Sequence, residues 1–303
     1  MFGSSSTTRS VASGVRSAAV TAPVCPSTLE DSWERTGRAG FAVRYRPVSA
    51  ADSPTGSPTP VVTVVQLDPA VPLDRFADHL DGVDVRVVRA YAGEHPGPAD
   101  RLEGLVVLGG NMSAHDEHEP GIPETRALLA DAVRAGVPTL GICLGAQLLA
   151  VATGGRVDVA APPGREAGVV DVRWRPEAAT DPLVGALAAD AERTATRSTP
   201  MPTMHADAVV DLPRHAAWLA ASRTYPYQAF RVGDAAWGLQ FHPEASPELM
   251  DAWSADAGDS ADERAAIAAA VRGVDEQVRA DGARLAATFA GLVAVRAAER
   301  TPV

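Results

Sequence analysis

Lysine is absent from the sequence: all 27 basic residues among its 303 are arginines. A Schiff base to a carbonyl substrate or cofactor needs a lysine amine, and so does the phosphate loop of Walker-type nucleotide hydrolases. The missing lysine therefore excludes pyridoxal-phosphate enzymes and Walker-type hydrolases.

Cysteine and positive charge are also scarce. The two cysteines, Cys25 and Cys143, are too few for a disulfide framework, and neither belongs to a C-x-x-C metal pattern. The 38 acidic residues give a formal net charge of −11, which disfavours nucleic acid and anionic membrane surfaces as partners. No run approaches about 18 uninterrupted apolar residues, and the N-terminus lacks a compact apolar signal core. We expect a cytoplasmic protein that binds neither nucleic acid nor membranes.

Three segments differ in composition. Residues 1–60 are rich in Ser, Thr, Ala, Pro and Arg and show neither helical nor strand periodicity. We predict a disordered N-terminal extension over 1–60, a main domain over 61–255, and a C-terminal helical extension over 256–303 that packs on that domain. An organelle transit peptide is the less favoured interpretation of the first segment, because that segment also contains acidic residues.

Strand and helix patterns alternate in the first half of the main domain. β-branched or buried apolar runs predict strands at 61–67, 83–90, 102–110 and 137–143, and helical spacing predicts helices at 73–80, 123–136 and 144–155. This alternation is typical of an α/β fold with an open, mostly parallel twisted sheet and helices on both faces.

The second half of the sequence has more strand character. Short strands are predicted at 168–174, 206–212, 216–222, 227–233 and 235–242. A serine cap followed by proline predicts a helix at 246–253. The Ala-rich remainder to about residue 298 predicts two further helices, with 284–298 packing back on the core.

The segment GICLGAQLLA, residues 141–150, places Cys143 between two glycines at the end of a predicted strand. The spacing G-x-C-x-G follows the logic of the serine elbow, in which a nucleophile occupies a tight turn and the glycines allow close backbone approach. The following helix directs its N-terminus at the sulfur, which favours the thiolate. A buried core cysteine is the alternative, but the strand-to-helix junction and the glycines favour a nucleophile.

A cysteine nucleophile requires a base, and FHPE at 241–244 supplies a candidate. His242 and Glu244 are two residues apart, so on an extended backbone both side chains point to one side, with Glu244 orienting the imidazole. The alternative is a proline-terminated strand with a surface acid. His205 and Asp207 have the same spacing and are a second candidate dyad or a substrate contact.

Two loops remain. GGN at 109–111 follows the strand before the nucleophile strand, where backbone N–H groups can bind an oxyanion together with the amide of Leu144; a plain turn is the alternative. HDEHE at 115–119 contains metal-ligand residue types, but such a run is more often a solvated loop, and we assign no metal site.

At these residues the sequence resembles the class I, triad-type glutamine amidotransferase family, in the stand-alone branch similar to the glutaminase domain of GMP synthase. The resemblance is carried by GGN, by the run at 123–155 and by YQAFRVG leading to GLQFHPEASPEL at 238–249, and it extends over roughly residues 61–298. It implies a flavodoxin-like sheet and no cofactor.

The resemblance also implies roles. Cys143 would be the attacking thiolate, His242 the general base and then acid, and Glu244 its orienting carboxylate. The backbone around Gly110, Asn111 and Leu144 would surround the oxyanion, and Gln147 would hold glutamine. The assignment of His205 and Asp207 to a family stretch near the site is less secure.

The implied reaction is hydrolysis of the glutamine side-chain amide through a γ-glutamyl thioester, releasing ammonia and glutamate. The sequence contains no SGGVDS-like pyrophosphatase loop, so we expect a separate synthase chain to accept the ammonia. Three alternatives stay open: a γ-glutamyl peptidase that acts on γ-glutamyl conjugates, a non-catalytic binding subunit of a synthase, and a reactive-cysteine stress or chaperone protein on a related sheet.

Overall fold

A computed structural model of the chain describes residues 59–300. The predicted disordered extension at 1–60 therefore lies outside the described residues except for its last two positions, and so does Cys25. Within the described part, the chain forms eleven strands and five α-helices, joined by loops and short 3₁₀ turns.

The elements follow in chain order. The strands are β1 Val61–Gln66, β2 Asp84–Arg89, β3 Gly104–Val107, β4 Thr139–Ile142, β5 Arg156–Asp158, β6 Glu166–Trp174, β7 Thr199–His205, β8 Ala208–Asp211, β9 Ala217–Ala221, β10 Ala229–Val232 and β11 Ala236–Leu239. The helices are α1 Ile122–Arg134, α2 Leu144–Ala152, α3 Gly185–Ala191, α4 Pro247–Asp256 and α5 Ala261–Arg300.

Nine of the strands form one sheet in the order β2-β1-β3-β4-β11-β10-β9-β6-β7, and β5 pairs with β8 in a small second sheet. The pairings from β2 through β11 are parallel, and those from β11 to β7 are antiparallel. The parallel strands alternate with helices along the chain, as βαβ connections require. The predicted α/β fold is confirmed.

The sheet is covered on both faces. In β1, Val62 and Val64 belong to the apolar cluster that includes α4 and α5, whereas Val65 belongs to the cluster that includes α1 and α2. Successive strand residues point to opposite faces, so a strand buried on both sides needs a continuous apolar run. The run VVTVVQ in β1 has this composition.

Three features differ from the predicted elements. The segment after residue 256 forms one helix, α5, and not two. The predicted helix at 73–80 is a short 3₁₀ turn over Asp74–Asp78. Strand β7 was not predicted, because Pro200 and Pro202 weaken its strand signal; proline is tolerated here because β7 lies at the sheet edge.

The carboxyl ends of β4 and β11 lie side by side, with Leu239 of β11 paired to Ile142 of β4. The residues that follow these two strands therefore meet at one edge of the sheet, where open α/β folds place their ligand sites. Across residues 59–300, no helix is both long and apolar enough to cross a membrane.

Candidate active site

Cys143 occupies a strained turn between β4 and α2. Its backbone has φ 51° and ψ −106°, a region that costs a non-glycine residue about 1–3 kcal/mol. A Cβ on Gly145 would lie 2.1 Å from the carbonyl oxygen of Val107, and a Cβ on Gly141 would lie 2.5 Å from the carbonyl oxygen of Gly145. Both glycines are therefore required for the backbone to pack around the cysteine, as the G-x-C-x-G spacing predicts.

His242 and Glu244 meet behind the cysteine. The imidazole Nδ1 lies 2.7 Å from Glu244 Oε1, and both side chains are buried. This bond leaves Nε2 as the nitrogen available to the Cys143 sulfur. The predicted pairing is present, but its predicted cause is wrong: β11 ends at Leu239, and both residues lie in the following turn, not on an extended strand.

The charges around His242 favour its protonated form. Burial alone would lower the pKa of His242, but the charges of Glu244 and Cys143, with hydrogen bonds to both side chains, outweigh burial and raise this pKa to about 10. The ring of Trp253 packs against the imidazole with centroids 4.7 Å apart. The site can therefore hold an imidazolium next to a sulfur anion.

The GGN loop lies directly against the cysteine and the histidine. A Cβ on Gly109 would lie 3.2 Å from His242 Cε1 and 3.5 Å from Cys143 Cβ. Asp68 fixes the end of this loop, because its Oδ2 accepts hydrogen bonds from both the backbone N–H and the side-chain amide of Asn111. The loop thus offers its backbone to the space beside the sulfur.

Gly110 and Leu144 lie next to each other on the other side of that space. A Cβ on Gly110 would lie 3.0 Å from Leu144 Cδ2. Leu144 is the first residue of α2, and the first N–H groups of a helix have no partner within the helix. Its amide is therefore suited to bind an anion, with the helix dipole in support.

Gln147 lines the site one turn further along α2. Its side-chain Nε2 donates to the backbone carbonyl of Asp207 at 2.8 Å and to Gln240 Oε1 at 3.3 Å. Gln240 in turn donates from Nε2 to the Cys143 sulfur at 3.6 Å. Gln240 was not among the predicted site residues; its position two residues before His242, in GLQFHPE, is the signal that was available.

His205 and Asp207 do not form the predicted dyad. The His205 Nδ1 contacts the backbone carbonyl of Asp207 at 2.9 Å, while the Asp207 carboxylate accepts the N–H of Ala160. The carboxylate that pairs with His205 is Glu166, whose Oε2 lies 3.2 Å from His205 Nε2. Two-residue spacing failed here because Asp207 follows the end of β7, whereas Glu166 on β6 lies directly opposite His205 in the sheet.

A cavity of about 210 Å³ opens beside the Cys143 sulfur. Its wall combines polar and charged groups with apolar ones from α4 and β7, namely Gly110, Asn111, Met112, Cys143, Gln147, Arg165, Met204, His205, Ala206, Asp207, Trp253 and Ala257. Every predicted catalytic or binding residue lies on this wall or directly behind it, except Leu144, which lies under Gly110.

The HDEHE segment lies apart from this cavity, and its residues have separate partners. His115 Nε2 contacts the carbonyl of Val157 at 3.0 Å, Asp116 accepts the N–H of Ser113, and Glu117 pairs with Arg126. Across residues 59–300, no group of three or more His, Cys, Asp or Glu side chains has an arrangement suited to a metal ion.

Comparison with known proteins identifies a family. The family model described as glutamine amidotransferase class-I matches residues 78–254, more than half of the chain. The chain is 30% identical over 168 residues to a glutamine-hydrolyzing GMP synthase subunit from Natronomonas pharaonis, covering 54% of this chain and 77% of that protein. It is 34% identical over 151 residues to the protein of the same name from Halobacterium salinarum, covering 49% and 70%.

A solved structure has the same fold. The crystal structure of a glutamine amidotransferase from Thermotoga maritima superimposes with a TM-score of 0.65 at 23% identity, covering 78% of this chain and 98% of that one. The fold and the resemblance inferred from the sequence agree with these matches. The chain belongs to the class I glutamine amidotransferase family.

Proposed function

We propose that the chain hydrolyses the side-chain amide of glutamine through Cys143, His242 and Glu244. The observation that carries this proposal is the hydrogen-bonded series from the strained Cys143 sulfur to His242 and on to the buried Glu244, at the wall of a cavity. Membership of the glutamine amidotransferase family supports glutamine as the substrate.

The first half of the reaction forms a thioester. The Cys143 thiolate attacks the amide carbon of glutamine, and the carbonyl electron pair moves onto oxygen. The backbone N–H groups of Gly110 and Leu144, supported by the Asn111 loop, bind that oxyanion. When the C–N bond breaks, the imidazolium of His242 gives its proton to the nitrogen, so ammonia leaves and a γ-glutamyl thioester remains.

The second half releases glutamate. His242, now neutral, takes a proton from a water molecule as that water attacks the thioester carbon. The C–S bond then breaks, glutamate leaves, and the sulfur returns as a thiolate beside an imidazolium. Glu244 stays ionised throughout and holds the ring so that Nε2 faces the sulfur, the role of the acid in such triads.

The test is release of glutamate and ammonia from glutamine and, separately, from a γ-glutamyl dipeptide. Cys143→Ala should abolish release from both, whereas Cys25→Ala, which changes the second cysteine, should retain it. A higher kcat/KM for the dipeptide would assign the protein to γ-glutamyl conjugates. Equal release by Cys143→Ala and the unchanged protein would end the proposal.

The ammonia acceptor is proposed to be a separate synthase chain. This is supported by the two archaeal relatives, each of which is named as one subunit of a glutamine-hydrolyzing GMP synthase. Mixing the protein with a purified synthase chain that lacks glutaminase activity should make synthesis dependent on glutamine. Synthesis that still requires added ammonium salt in the mixture would contradict this pairing.

A further inference from the structure

The Cys143 sulfur has a second polar neighbour besides His242. Gln240 donates from Nε2 to this sulfur at 3.6 Å, and its other amide atom, Oε1, accepts from Gln147 Nε2 at 3.3 Å. Both glutamine side chains are almost fully buried, so each of these bonds is protected from competing water.

The same chain of bonds continues away from the sulfur. Gln147 Nε2 also donates to the backbone carbonyl of Asp207 at 2.8 Å, and His205 Nδ1 donates to that carbonyl at 2.9 Å. The second ring nitrogen of His205, Nε2, meets Glu166 Oε2 at 3.2 Å. A series of hydrogen bonds thus runs from Glu166 to the sulfur.

Glu166 is itself firmly held. Its carboxylate accepts hydrogen bonds from Gln228 Nε2 at 2.7 Å and from Ser222 Oγ at 3.1 Å, in addition to the contact with His205. Burial would raise the pKa of Glu166, but the hydrogen bond and the charge of His205, with further hydroxyl donors, outweigh burial and lower this pKa. Glu166 therefore supplies a fixed, ionised anchor on β6.

We propose that Glu166 is a remote positioning residue for the Cys143 sulfur, acting through His205, the Asp207 carbonyl, Gln147 and Gln240. The inference rests on the proposed function, because it concerns the sulfur that would attack the substrate. Glu166 does not touch the substrate site directly, whereas Gln240 contacts the reacting atom.

The chain of bonds acts on the reactive form of the cysteine. A hydrogen bond from the Gln240 amide stabilises a thiolate and fixes its direction. If Glu166 is removed, His205 is free to turn, the Asp207 carbonyl loses one of its two donors, and the Gln147–Gln240 pair loses its fixed geometry. Attack by the sulfur should slow more than substrate binding weakens, so kcat should fall more than KM rises.

The test combines Glu166→Leu, Gln240→Leu and the double variant. The readout is the rate of Cys143 alkylation by iodoacetamide, located by mass spectrometry so that Cys25 does not contribute. Each single variant should slow alkylation by about tenfold, within the range of couplings in shared networks. In the Gln240→Leu background, Glu166→Leu should add less than about twofold, because both changes break one chain.

Two further variants separate positioning from loss of folding. Glu166→Gln keeps two polar atoms in place and should retain most of the alkylation rate and kcat. Asp181→Asn perturbs another buried carboxylate, which accepts from Leu183 N, Val184 N and Trp237 Nε1 away from the cavity, and should lower stability without slowing alkylation.

Three outcomes would overturn the proposal. The first is that the two Leu variants slow alkylation additively, and the second is that Glu166→Leu leaves the rate unchanged. The third is that Glu166→Gln is as slow as Glu166→Leu, which would assign the effect to charge and not to position. Alkylation does not need a substrate, so these outcomes are readable even if the protein fails to hydrolyse glutamine.

Discussion

Gly145→Ala should disable the protein through the turn that carries Cys143. A Cβ at this position would lie 2.1 Å from the carbonyl oxygen of Val107 and 2.9 Å from its carbon, both backbone atoms of the central strand β3. Contacts of real Cβ atoms are essentially never below 3.0 Å, so α2 must move away from β3 by about 0.9 Å.

That displacement sets the size of the effect. Overpacking of this kind costs about 1–3 kcal/mol of stability. A misplacement of about 1 Å in a catalytic group costs about 100-fold in rate, and α2 carries both the Cys143 backbone and the proposed oxyanion donor Leu144. We therefore expect glutamine turnover to fall by about 100-fold while most of the protein remains folded.

The assay is kcat/KM for glutamine together with thermal unfolding, with Gly273→Ala as the matched control. Nothing lies within 4 Å of a Cβ at Gly273, in the middle of α5, so alanine there should stabilise the helix by about 0.5–1 kcal/mol and leave turnover unchanged. Turnover of Gly145→Ala within about threefold of the unchanged protein would refute this reasoning.

Three other changes have expected outcomes. Glu244→Gln should lower kcat by about 100-fold or more while KM changes little, because the imidazole loses its orienting charge; an unchanged kcat would contradict this role. Because the pKa of His242 is raised from 6.5 to about 10, its contribution to stability should be complete below pH 6.5 and lost as pH rises through 10, so the unfolding free energy should fall more over that window than in His242→Gln. Gly282→Ala should lower kcat about tenfold, since a Cβ there would lie 2.2 Å from the Pro243 carbonyl oxygen, between the two triad residues; equal kcat would show that α5 does not support this loop.

The elbow could be predicted from the sequence because its cause is local. Gly141 and Gly145 flank Cys143 at fixed spacing, and each is required by a backbone contact within the same strand-turn-helix unit or on the adjacent strand. The parallel part of the sheet was predictable for a similar reason, since the apolar runs of β1 and β4 indicate burial on both faces whatever their neighbours are.

The rest depends on contacts between distant segments. Gly282 looks like a weak point in a helix, but it allows the unbroken α5 to pass close to Pro243. Glu166 pairs with His205 because β6 and β7 are adjacent in the sheet, and no spacing within the sequence contains that information. The same holds for Gln240, whose contact with Cys143 joins residues 97 positions apart.

The most direct test of the mechanism is detection of the covalent intermediate. Unchanged protein would be mixed with glutamine, quenched in acid during turnover, digested, and analysed by mass spectrometry for a γ-glutamyl group. We expect the group on the peptide that contains Cys143 and not on the peptide that contains Cys25. Steady release of glutamate with Cys143 unmodified throughout, and the same release by Cys143→Ala, would contradict the central claim that this sulfur is the nucleophile.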